Sequence, residues 1–134
     1  MSDQGEGRSL DIQRTRRLRR LPGLRKLVRE THISAEDFIL PIFVRYGSGE
    51  KREIVSMPGV YQWSVDRINE VVGAAAELGI PAVILFGIPE HKDAIGTENF
   101  APDGVVQRAI HAIKADYPDM VVVTDVCLCE YTDH

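Results

Sequence analysis

The 134 residues predict an α/β fold in which parallel strands alternate with amphipathic helices behind an arginine-rich N-terminal arm. Three observations predict it. Apolar runs of strand length begin at Phe38, Ile80 and Met120, and two stretches between them carry apolar residues at helical spacing. The intervals between strand starts are long enough for a helical crossover each time, so neighbouring strands should run parallel. A doubly wound sheet and a (β/α)₈ barrel both open with this βαβαβ order, and from the residues alone the choice stays open.

The arm, residues 1–33, holds nine basic and four acidic groups and is +5, while residues 34–134 carry seven and sixteen and are −9. A polyanion-binding role for the body is thereby disfavoured. The arm contains no aromatic residue for stacking on bases. Its arginines alternate with Leu18, Leu21, Leu24 and Leu27 near helical spacing, so it reads as a docking segment rather than a nucleic-acid contact. A short helix is expected over Leu24 to Glu30, introduced by Pro22-Gly23. Asp3, Glu6, Asp11 and Glu30 argue against an organelle transit peptide, and no apolar run approaches the roughly 18 residues of a membrane span. A cytoplasmic protein is the expectation, with no membrane and no nucleic-acid partner.

Ser34-Ala-Glu-Asp37 has the form of a capping turn with Asp at the third position, and Phe38 to Val44 follows as the first strand. Pro41 cannot donate to a ladder, so this strand must be near its start, bulged, or unpaired on one side there. Residues 45–63, with Gly47, Gly49 and Met57-Pro-Gly59, read as an excursion holding a small hairpin. Ser64 is the expected N-cap of a helix whose face is Val65, Ile68, Val71, Val72, Ala75 and Leu78, closed by Gly79. Ile80 to Phe86 is apolar throughout, the pattern of a parallel strand covered on both faces. After a polar loop, Val105, Val106, Ala109, Ile110 and Ile113 mark a second helix, and Met120 to Val126 is the third strand.

In either architecture the functional face lies at the carboxyl ends of the strands. There the third strand runs into Thr124-Asp-Val-Cys-Leu-Cys-Glu-Tyr-Thr-Asp-His134. On an extended chain Asp125, Cys127 and Cys129 share a face opposite Val126 and Leu128. A bridge between the two cysteines is disfavoured, because side chains two apart on a strand point in parallel. Two thiolates on one tetrahedral zinc lie under about 4 Å apart, whereas strand neighbours two apart are about 6.6 Å apart at Cα, so metal binding requires a bend near Leu128. Two sulfurs also leave a further ligand to be found. C-x-C equally describes two small packed cysteines, Asp125 equally caps the next turn, and His134 equally reads as a free imidazole.

This terminal segment closely resembles the zinc-site strand of porphobilinogen synthases (5-aminolevulinate dehydratases), D-V-C-L-C-x-Y-T-x-H. Leu40-Pro-Ile-Phe-Val44, Ser56-Met-Pro-Gly-Val60, Gly79-Ile-Pro-Ala-Val83 and Arg16-Arg-Leu-Arg-Arg20 carry the resemblance through nearly the whole chain after about residue 14. It implies the first three strands of a (β/α)₈ TIM barrel over residues 34–134, and an arm that wraps a neighbouring subunit of a homo-octamer. The implied activity is condensation of two 5-aminolevulinate molecules to porphobilinogen with loss of two waters, in haem and tetrapyrrole synthesis. Matched position by position, Cys127 and Cys129 are two of three zinc ligands and Asp125 is an active-site carboxylate. The third cysteine is expected just past His134, and Glu130 and Asp133 stand where proline and serine are frequent, at positions that are not ligands. Magnesium elsewhere in the full-length protein is a further expectation. Both Schiff-base lysines belong to later strands, so the 134 residues alone are expected to be inactive. The competing reading is a non-catalytic metal-binding or interaction module built from a partial barrel.

Overall fold

Six of the seven residues of Ile39-Leu-Pro-Ile-Phe-Val-Arg45 are apolar, and they form strand β1 at the centre of a five-stranded sheet. The computed structural model describes residues 16–134. The other strands are β2 (Lys51–Glu53), β3 (Tyr61–Ser64), β4 (Ala82–Ile88) and β5 (Val121–Thr124), ordered β2-β3-β1-β4-β5. β4 runs parallel to β1 from Ile39 opposite Ala82 to Arg45 opposite Ile88, and β5 runs parallel to β4 from Val121 opposite Ala82 to Thr124 opposite Leu85. Pro41 faces Ile84 on one side only, since β3 meets β1 first at Phe43. The missing donor at Pro41 is accommodated in that way.

The excursion holds the expected hairpin, with β2 antiparallel to β3. It goes further than expected, because β3 also adds to the sheet as a parallel neighbour of β1. Ser64 helps close the excursion. Its hydroxyl accepts from the Glu50 amide at 2.9 Å and donates to the Glu50 carbonyl at 3.2 Å, while its amide donates to the same carbonyl at 3.1 Å. With its side chain engaged there, Ser64 makes no capping bond, which corrects the expected N-cap. The chain takes a 3₁₀ turn over Val65–Arg67 before helix α2 (Ile68–Glu77) begins. At the other end the expected cap is present: Gly79 has φ 77°, its amide donates to the Ala76 carbonyl and that of Ile80 to the Ala75 carbonyl, the paired bonds of a Schellman cap.

Helix α3 (Val105–Asp116) lies beside α2, with Asn69 Nδ2 donating to the Ala112 carbonyl at 3.1 Å and to Asp116 at 2.6 Å. Alternation sorts the strands. Ile42, Val44, Val83 and Leu85 join Ile68, Val72, Val105, Ala109 and Ile113 in one core. On the opposite face the Phe43 and Phe86 rings lie 5.5 Å apart and are half-buried. β4 is therefore fully covered on its helix side and partly on the other, where the sequence suggested two covered faces. Leu78, placed on the helix face by its spacing, is exposed beyond the end of α2.

Ser34–His134 is one compact unit and the chain through Ile33 another. In the described part of the latter, helix α1 spans Pro22–Leu27 with proline in its first turn, so it starts and stops earlier than the 24–30 expected. Leu18, Leu21 and Leu27 are exposed. At the start of the larger unit, the Ser34 amide and hydroxyl both donate to the Asp37 carboxylate, at 2.7 and 3.1 Å. Among the described residues no helix is long and apolar enough to cross a membrane.

Candidate functional site

β5 stops at Thr124, and residues 125–128 leave the sheet before a turn over Cys129 to Tyr131 closed by the Tyr131 amide on the Leu128 carbonyl at 3.0 Å. The bend lies where two-thiol ligation required it. Cys127 and Cys129 are free and exposed. Their sulfurs and the Glu130 carboxylate lie within 4.8 Å of one another, the one such three-donor group among the described residues. The family resemblance makes Glu130 a non-ligand position, yet the turn brings its carboxylate to the thiols. Asp125 accepts from the Cys127 amide at 3.2 Å, so it does cap the thiol segment. With Cys127, Glu98, Glu130 and Tyr131 it lines a cleft of about 320 Å³ at the carboxyl ends of β4 and β5.

The donor set fits a soft divalent ion. A hydrogen bond with the neighbouring Cys127 thiol, with lesser contributions from desolvation and from the charges of Cys127 and Glu130, pushes the Cys129 thiol above its usual range. A bound dication favours the deprotonated thiolates that ligate it. Two thiolates with an oxygen donor suit zinc in ligand type.

The rest of the rim holds this loop in place. Tyr131 is only 8% exposed. Its phenol lies so close over Gly87 that a β-carbon there would collide with its oxygen and come within 2.6 Å of Val106 Cγ2. Burial, with lesser contributions from Glu130, Tyr46 and Glu98, pushes the Tyr131 phenol above its usual range. Across the rim, Glu98 accepts from the amides of Glu90 and His91 at 3.2 and 2.9 Å. Lys92 is exposed on this loop and lines a separate apolar hollow with Phe43, Phe86 and Glu130. His134 is exposed, 3.7 Å from Asp133 and outside the three-donor group.

With the rim described, its kinship is decisive. The family model described as delta-aminolevulinic acid dehydratase matches residues 12–134. The chain belongs to that family. The delta-aminolevulinic acid dehydratase of Halalkalibacterium halodurans is 48% identical over 128 residues, which are 96% of this chain and 39% of that protein. That of Bacillus subtilis is 48% identical over 126 residues, 94% of this chain and 39% of the relative. Among solved structures, delta-aminolevulinic acid dehydratase (porphobilinogen synthase) from Toxoplasma gondii, in complex with the product porphobilinogen, aligns with a TM-score of 0.81 at 36% identity. The alignment covers 93% of this chain and 36% of that one. The chain thus spans about 39% of the length of each of these two curated dehydratases. The likeness resolves the choice of architecture: β1, β4 and β5 with α2 and α3 are the opening strands and helices of the family's TIM barrel, with β2 and β3 inserted after the first strand.

Proposed function

We propose that the protein carrying this chain condenses two 5-aminolevulinate molecules to porphobilinogen, releasing two waters, and that these residues supply the metal-binding side of its active site. The observation that carries the reading is the Cys127-Cys129-Glu130 cluster beside Asp125 at the carboxyl end of the third barrel strand. In a TIM barrel, catalytic groups gather at that end.

Cys127 and Cys129 would hold zinc, with a third cysteine from outside these residues and Glu130 as an oxygen donor alongside. Bound there, zinc supplies Lewis-acid polarisation of a substrate oxygen. Asp125 gives one carboxylate oxygen to the Cys127 amide, which fixes its orientation, and keeps the other to take or return a proton as water is lost.

The amine nucleophiles of the reaction come from elsewhere. Lys51 is spread over the Tyr61 and Trp63 rings at 4.5 and 4.7 Å. Lys114 donates to the carbonyls of Pro118 and Met120 at 3.0 and 2.7 Å, and Lys92 is exposed on the loop after β4. The exposed leucines of the arm support its role as the segment through which copies of the protein associate, an octamer being the proposed state. A cytoplasmic location and a separate magnesium site complete the proposal.

The test is conversion of 5-aminolevulinate by the product of the complete reading frame. Porphobilinogen should form, with loss of nearly all activity in Cys127→Ser/Cys129→Ser and recovery of none by added zinc. Absence of porphobilinogen at any zinc concentration refutes the reading, and so does undiminished activity of the double variant.

A further inference from the structure

The thiol loop is tied down at two places. At one end Thr124 is registered with Leu85 in the sheet. At the other, Asp93 forms an isolated parallel bridge with Thr132: its amide donates to the Tyr131 carbonyl at 3.3 Å, and its carbonyl accepts from the Asp133 amide at 3.3 Å. Between these ties, residues 125–130 carry both sulfurs and Glu130 with no strand pairing. The geometry of the three donors therefore depends on how firmly Asp93 itself is placed.

Asp93 is placed by its own side chain. Oδ1 accepts from the Ile95 amide at 3.1 Å and the Thr97 amide at 3.0 Å, and the Asp93 carbonyl accepts from the Gly96 amide at 3.3 Å. The result is a closed turn over residues 93–97. Gly96 completes it with φ 62°, and a β-carbon at Gly96 would sit 3.3 Å from Tyr131 Cβ. The turn is thus pressed against the segment it pairs with, and neither tie requires a bulky side chain.

We propose that Asp93 is a positioning residue for the metal loop: its carboxylate locks the turn whose main chain latches residues 131–133, and so holds Cys127, Cys129 and Glu130 in ligating register. This rests on the reading of the two thiols as metal ligands. Groups that orient a metal's ligands without touching the metal typically change its affinity by roughly 10- to 100-fold when removed. Asp93 falls in that class through the backbone rather than through a side chain on the ligand.

The experiment titrates the protein, as made from its own reading frame, with cobalt(II), reading the thiolate-to-cobalt charge-transfer band and, in the metal-free protein, hydrogen exchange at the Asp133 amide. Asp93→Ala should weaken cobalt binding by roughly 10- to 100-fold. Its band at saturation should be unchanged, since both sulfurs remain, and the Asp133 amide should exchange faster. Asp93→Asn keeps the accepting oxygen and should restore affinity to within about threefold. If Asp93→Ala does not fold, Ile95→Pro, at an exposed position, removes one of the two amides the carboxylate holds and should weaken binding in the same way. Wild-type affinity in both Asp93→Ala and Ile95→Pro overturns the latch, as does an Asp93→Asn variant no better than Asp93→Ala. A wild-type protein with no thiolate band at all overturns the ligand reading beneath it, and the latch with it.

Discussion

Replacing Gly87 by alanine tests how the rim is built. Gly87 lies in β4, where its backbone is ordinary, so the effect of a methyl group is one of space and not of strain. A β-carbon there runs into the Tyr131 phenol oxygen and comes within 2.6 Å of Val106 Cγ2, and both neighbours belong to packed elements. Overpacking of this kind costs about 1–3 kcal/mol, which for a chain of this size is about 3–10 °C in Tm. Because the nearest clash is with one oxygen atom, Tyr131→Phe in the same background should return about half the loss. A double-mutant cycle by urea denaturation should then give a coupling of about 0.5–1.5 kcal/mol between positions 87 and 131. Gly87→Ala as stable as wild type, or a coupling near zero, would refute the placement of Tyr131 over this glycine.

Other outcomes follow from the packing. Ile113→Ala, at a fully buried position, should lose about 2–5 kcal/mol in chemical denaturation, whereas Leu78→Ala, at 71% exposure, should change stability by less than about 0.5 kcal/mol. Asp37 and Asp93 are held below the usual carboxylate range, the first chiefly by the Ser34 amide and hydroxyl and the second by the Thr97 side chain and amide. Their contribution is therefore complete above about pH 4 and is lost as pH falls through the lowered values, so the urea midpoint should drop more steeply below about pH 4 in wild type than in Asp37→Asn/Asp93→Asn. If the arm joins copies of the protein as proposed, changing Leu18, Leu21 and Leu27 together to serine lowers its sedimentation coefficient without altering the circular dichroism of the barrel strands.

What the sequence made legible follows from range. The two βαβ crossovers, the Gly79 cap, the Ser34-Asp37 turn and the bend at Leu128 are local, and local patterns carry them. The position of β3 is not, since its parallel pairing with β1 joins segments on either side of the excursion, and the Ser64 hydroxyl that reads as a helix cap is taken by Glu50 instead. Glu130 stands at a position that the family resemblance makes a non-ligand one, and strand alternation says nothing of a residue beyond the bend. In a tight turn residues three apart approach within about 7 Å, so the bend demanded at Leu128 already implied that residue 130 returns toward residue 127. The Asp93 turn also had a local signal, an Asp followed by Gly96 and Thr97, but nothing in the sequence told that its main chain would pair with Thr132. Long-range pairings of single residues leave no periodicity to read.

Whether this rim holds metal through sulfur is answered most directly by X-ray absorption at the zinc edge on the loaded protein. A sulfur shell near 2.3 Å, losing two scatterers in Cys127→Ser/Cys129→Ser, is the expected spectrum. A shell of oxygen and nitrogen alone, or one indifferent to the double substitution, would place the metal elsewhere and remove the chemical basis assigned to the third barrel strand.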